Sequence, residues 1–146
     1  MSHYPPITPH LAITDVAGAL DFYAKAFDAE ERLRLSLPDG TIAHAEMYVN
    51  GGLVTLGAAI PDYGLAAPDP DQPVHVAITV FGPDVDAAYQ QALAAGATSM
   101  SEPTDQFHGD RTATVRCPYG HKWILATHLR DVPPEEQQRL LTELMT

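Results

Sequence analysis

The chain repeats itself, and that repeat limits its possible folds more than any other feature. His10-Leu11-Ala12-Ile13-Thr14 recurs as His75-Val76-Ala77-Ile78-Thr79. Each run is apolar and rich in β-branched residues, and each is followed by Asp-Val and an alanine-rich stretch: Asp15-Val16-Ala17-Gly18-Ala19-Leu20 and Asp84-Val85-Asp86-Ala87-Ala88-Tyr89. Asp15 and Asp84 suit helix N-caps, where a short carboxylate accepts unpaired backbone N–H groups and meets the positive end of the helix dipole. Val16, Ala19, Leu20, Tyr23, Ala26 and Phe27 then fall at helical spacing, as do Val85, Ala88, Tyr89, Ala92 and Leu93. Gly96 closes the second helix by a left-handed turn. Residues 41–49 and 111–117 alternate apolar and polar as half-buried strands do. Asn50-Gly51-Gly52 and Pro118-Tyr119-Gly120 turn them into the strands at 53–59 and 122–127. The offset that carries Asp15 to Asp84 also carries Gly51 to Gly120.

The unit is strand, helix, three strands, used twice, which predicts an α+β fold in a single domain. The first module covers residues 7–59 and the second 73–128, with a proline- and aspartate-rich linker at 60–72. A last helix at 133–145 opens on prolines and carboxylates, and Leu140, Leu141, Leu144 and Met145 give it an apolar stripe. A net charge of -11 repels phosphate backbones and anionic lipid heads, which excludes nucleic acid and membrane as partners. No apolar stretch reaches the ~20 residues that span a bilayer. The start, Met1-Ser2-His3-Tyr4-Pro5-Pro6, has neither the basic nor the apolar segment of a secretion signal. Cys117 is the only cysteine, so no internal disulfide forms, and a cytoplasmic setting is expected. Cys117 itself reads as a core residue at a strand end.

Ile7-Thr8-Pro9-His10-Leu11, Leu20-Asp21-Phe22-Tyr23-Ala24-Lys25-Ala26-Phe27, Asp105-Gln106-Phe107-His108-Gly109-Asp110-Arg111 and Pro118-Tyr119-Gly120-His121-Lys122-Trp123 carry a resemblance. With the paired modules, they make the chain similar to the vicinal oxygen chelate (glyoxalase, bleomycin-resistance, dioxygenase) superfamily, and to its PhnB-like branch in particular. The resemblance covers residues 7–128. It implies a cup-shaped mixed sheet formed by the two βαβββ modules, with helices outside, a ligand within the cup, and a homodimer.

In catalytic members of that superfamily, histidines and glutamates on the first and last strands of each module hold a divalent metal, which polarises adjacent substrate oxygens. The resemblance places His75 at the second module's histidine position, with His10 as its repeat mate. The expected glutamate positions carry Thr55 or Leu56, and Ile124. Glu46 shares a strand face with His44 and Tyr48, so His10, Glu46 and His75 form a candidate two-histidine, one-carboxylate set for Zn, Ni, Mn or Fe(II). Glu46 is then also the candidate catalytic group.

With only two usual ligand positions filled, the favoured reading has no committed cofactor: a metal-free pocket that binds a small molecule. The alternative is a metal-dependent lyase, isomerase or dioxygenase on a small oxygenated substrate. A dimeric scaffold with an empty cup ranks last. His10, His44, Glu46, His75 and Arg111 are expected to line one cavity with Trp123 near its floor; for the histidines the reason is parity, because their opposite-parity neighbours (Leu11 and Ile13, Ala43 and Ala45, Val76 and Ile78) are apolar enough to meet the helices. Arg111 suits a carboxylate or phosphate ligand, or else pairs with Asp110 or Asp105 at the surface. Trp123 is either a flat platform for a planar ligand or core. Gln106 and Phe107 are placed at the rim, and His121 and His128 as exposed or interfacial.

Overall fold

The structure is a computed structural model that describes residues 3–146; Met1 and Ser2, at the start of the stretch read above as lacking a secretion signal, lie outside the described residues. The first module runs β1 (His10–Ile13), α1 (Val16–Phe27), β2 (Glu30–Ser36), β3 (Ile42–Val49) and β4 (Gly52–Ala58). The second runs β5 (Ala77–Phe81), α2 (Val85–Ala95), β6 (Thr98–Asp105), β7 (Asp110–Arg116) and β8 (Lys122–His128), and α3 (Pro134–Leu144) follows. Each module is a four-stranded mixed sheet, ordered β1-β4-β3-β2 and β5-β8-β7-β6. The pairs β1–β4 and β5–β8 are parallel and the others antiparallel. This is the predicted pair of βαβββ modules.

Local chemistry sets the helix ends. The Asp15 carboxylate accepts from the Gly18 N–H at 3.0 Å, and Asp84 accepts from Ala87 at 3.1 Å. Gly96 closes α2 at φ 118°, a region that favours glycine. Asp28 closes α1 at φ 55°. Gln91 on α2 donates to both the Lys25 carbonyl and the Asp28 carboxylate, which ties the two helices together.

Parity then decides what each sheet buries. Leu11, Ile13, Ala45, Met47, Val49, Val54 and Leu56 turn one face of the first sheet to the helices; Ala113, Val115, Trp123 and Leu125 do the same for the second. Trp123 is 0% exposed, packed against both Tyr23 and Phe27 of α1 at centroid distances of 5.2 and 4.9 Å. A strand of the second module is thereby locked onto the helix of the first. Trp123 is therefore core and not the floor of a ligand cavity, because its parity is that of Leu125. Cys117 is buried, 3.2 Å from the Tyr23 hydroxyl.

The sequence repeat at the two histidines is out of step with the structure. The offset that relates Asp15 to Asp84 also relates the pair His10–Thr55 to Thr79–Ile124. The counterpart of His10 is thus Thr79, and His75 lies outside β5, exposed, before the strand begins. The repeated letters are not structurally equivalent residues. No residue of α3 is buried, and Leu141, Leu144 and Met145 stand exposed.

Replacing Trp123 by alanine is expected to destabilise the fold by about 3–5 kcal/mol, the usual range for emptying a buried aromatic site, read from urea denaturation midpoints. A loss below about 1 kcal/mol would show that this ring does not hold the modules together.

Candidate functional site

The face of the first sheet that the helices leave free carries a line of polar residues. In register across the strands stand His10, Thr55 and Glu46, on β1, β4 and β3. The next row is Ala12, Gly57 and His44. Gly57 is required there: a β-carbon on it would meet His10 Cε1 and Nε2 at 3.0 Å. The His10 ring lies over that bare backbone and runs parallel to the His44 ring, with centroids 5.9 Å apart and planes at 7°.

Glu46 is 0% exposed, and a buried carboxylate persists only where donors surround it. Its Oε2 accepts from the Tyr4 hydroxyl and from His44 Nε2 at 2.9 Å. Because a carboxylate only accepts, Nε2 is the protonated nitrogen of His44. Arg32 Nε lies 3.6 Å from Oε1. Arg32 is the extra residue of a bulge between Glu31 and Leu33, which brings its guanidinium over the Tyr4 and Tyr48 rings at 5.2 and 5.7 Å. Burial alone would raise the Glu46 pKa. The Tyr4 and His44 hydrogen bonds and the Arg32 charge outweigh it and hold the carboxyl below its ordinary value. The same hydrogen bond raises the Tyr4 phenol and keeps it a donor. Glu46 Oε1 and Arg32 Nη1 are buried without a hydrogen-bond partner among the described residues.

His10 connects this cluster to a groove. Thr55 gives its hydroxyl proton to the Pro9 carbonyl at 3.1 Å, so His10 Nδ1 donates to Thr55 Oγ1 at 2.7 Å and Nε2 keeps its lone pair. Burial and the neighbouring His44 lower the His10 pKa, which favours the neutral ring. The groove lies between β1 and β5 and has a volume of about 870 Å³; His10, Ala12, Leu65, Ala67, His75 and Lys122 are among its walls. His121 Nε2 donates across the seam to the Ala12 carbonyl at 3.0 Å, so His121 is a half-buried tie between the modules. Arg116 grips the linker over the groove, donating to the carbonyls of Asp69 and Gln72 at 3.0 and 2.6 Å.

The structure brings His10, His44 and Glu46 together, and brings His75 to the groove beside His10. It does not bring in Arg111 or Trp123. Arg111 has the parity of Ala113 and Val115, so it emerges on the helix side. There it makes a two-pronged pair with Asp86 of α2, at 2.9 and 3.0 Å, and a third bond to Asp105 at 2.9 Å. Sequence reasoning did not find Tyr4, Arg32 or Gly57. The bulge at Arg32 breaks the alternation that would have signalled it.

The family model of the Glyoxalase/Bleomycin resistance protein/Dioxygenase superfamily matches residues 5–125. The chain belongs to that superfamily. It is 41% identical over 143 residues to an uncharacterized protein of Mycobacterium bovis, covering 94% of this chain and 93% of that one. TioX from Micromonospora sp. ML1 is 30% identical with a TM-score of 0.67, over 88% of this chain and 100% of TioX. A Bacillus cereus protein described as a putative 3-demethylubiquinone-9 3-methyltransferase, PhnB protein, shares the fold at 18% identity and TM-score 0.64, over 84% of this chain and 99% of that one.

The residues present do not fit the metal centre that such a family suggests. His10 and His75 are not counterparts, and the last-strand positions carry Thr55 and Ile124. Glu46 is engaged by two hydrogen-bond donors and lies beside a guanidinium, whose positive charge opposes a second cation.

With its folded-state pKa lowered, Glu46 stabilises the fold above the unfolded carboxyl value near ~4.3, and that contribution is lost as pH falls through the folded value. The stability gap between the wild type and Glu46→Gln, measured by urea denaturation, should be largest at pH 7 and should shrink below about pH 4. A gap independent of pH would contradict the ionised carboxylate.

Proposed function

We propose that this protein binds a small molecule in the groove between β1 and β5, without a resident metal. The groove itself carries this reading. Its volume of about 870 Å³ lies within the range of small-molecule sites, and its walls combine apolar linker residues with three imidazoles, those of His10, His75 and His121. His10 supplies a polar contact in its wall, and its other ring nitrogen is held by Thr55. A charge of -11 disfavours anionic ligands and leaves neutral or cationic ones. The PhnB-like label adds no reaction to this reading, since the structural likeness behind it is at 18% identity.

The alternative is a metal-dependent lyase, isomerase or dioxygenase. One observation favours it: His10 and His75 line the same groove, and His10 Nε2 keeps its lone pair there. Metal analysis after loading with Zn, Ni, Mn or Fe(II) separates the two readings. A stoichiometric metal lost in His75→Ala would move the alternative ahead.

Two copies are proposed to pair as a homodimer through exposed apolar residues, with Leu141, Leu144 and Met145 of α3 as the motive. Among the described residues no helix is long and apolar enough to cross a membrane; the cytoplasmic setting stays a proposal.

Nile red, a neutral planar probe, should bind saturably, and Ala67→Trp, which fills the groove, should weaken it about tenfold or more, roughly the 1.4 kcal/mol that a tenfold change represents. Saturable binding that Ala67→Trp leaves unchanged would place the site elsewhere.

A further inference from the structure

We infer that the polar cluster around Glu46, on the same sheet face as His10, accepts a neutral phenol, and that Tyr4 occupies it as the chain's own stand-in ligand. The inference rests on the small-molecule reading above and names the chemical group recognised. Tyr4 comes from the segment before β1 and is 53% exposed, so its own burial does not fix its position. What holds it is a set of contacts shaped for a phenol. The hydroxyl donates to the buried Glu46 carboxylate, and the ring lies under the Arg32 guanidinium at 5.2 Å.

Every element of that set would act the same way on a free phenol. The carboxylate accepts and cannot donate, so it selects an O–H and rejects an ether. A phenolate would be repelled by Glu46, so the neutral form is the one bound. The guanidinium face takes a flat π-system by cation–π attraction. Tyr48 contributes a second ring, 5.7 Å from the Arg32 guanidinium. Glu46 Oε1 and Arg32 Nη1, both buried and without hydrogen-bond partners among the described residues, belong to the two side chains that hold Tyr4. Each such atom costs free energy, and a second polar group on the ring, one that both donates and accepts, would satisfy them. Tyrosine has no such group; a phenol with a neighbouring hydroxyl or amide does.

A phenol supplied from solution must displace Tyr4, whose tether keeps it at high effective concentration. The test uses the full chain with p-cresol, the tyrosine side chain as a free molecule, followed by isothermal titration calorimetry. Tyr4→Ala should bind p-cresol saturably at one site, at least about tenfold tighter than the wild type does. In the same variant, 4-methylanisole, which lacks the donor, should bind at least about tenfold more weakly than p-cresol, as loss of a hydrogen bond to a charged group implies. Catechol, with its adjacent second hydroxyl, should bind more tightly than p-cresol. The anisole comparison needs no change at Glu46, so it stands even if Glu46→Gln folds poorly. Equal binding of p-cresol by Tyr4→Ala and wild type, or equal binding of p-cresol and 4-methylanisole, would overturn the inference. If that happens while Nile red still saturates the groove, the phenol assignment alone falls; if Nile red also fails, the small-molecule reading falls with it.

Discussion

The packing of Trp123 against Tyr23 and Phe27 is the contact on which the rest of the architecture depends. It commits one face of each sheet to the helices and joins a strand of the second module to the helix of the first. The edges of β1 and β5 then lie side by side without pairing, and the groove is the space left along that seam. Smaller ties hold the seam at that width: His121 bridges to the β1 backbone, Gln91 bridges the helices, and Arg116 fastens the linker across the top. A void that persists in a packed protein has a rigid surround, and here the aromatic cluster provides it.

Duplication produced two similar sheets with different chemistry on their free faces. In the first module the central row reads His10, Thr55, Glu46; in the second it reads Thr79, Ile124, Thr114. The first row holds a buried charge, which needs Tyr4, His44 and Arg32 around it to persist. The second needs no such provision. The buried polar cluster therefore sits on one side of the seam, and the second module contributes groove walls, through His75 and Lys122. This asymmetry explains why a symmetric metal centre does not fit. Its ligands would have to come equally from both modules, and the second module's equivalent positions have none to offer.

Much of this was legible before any coordinates. The repeated Asp-Val-Ala pattern located both helices and their caps, and alternation along residues 41–49 put His44 and Glu46 on one face. Other features were hidden for physical reasons. The His-x-Ala-Ile-Thr letters match four positions away from the register that the strand pairing sets, in which His10 corresponds to Thr79. The bulge that aims Arg32 at Glu46 leaves no mark in hydrophobic periodicity. Tyr4 precedes the first strand and follows no pattern. Arg111 and Trp123 were misplaced although their own alternation with Ala113, Val115 and Leu125 pointed to the helix side. Parity is the deciding constraint at both positions, because a sheet face must be buried as a whole.

The account turns on Glu46 being an ionised carboxylate held by donors, one of which stands in for a ligand. The most direct test is a carbon-detected NMR titration of the Glu46 side-chain carboxyl in the wild type and in Tyr4→Phe. The account predicts a midpoint below the ordinary glutamate value in the wild type, and an upward shift when the phenol hydroxyl is removed. A midpoint above the ordinary value, or one that Tyr4→Phe leaves unmoved, would contradict it.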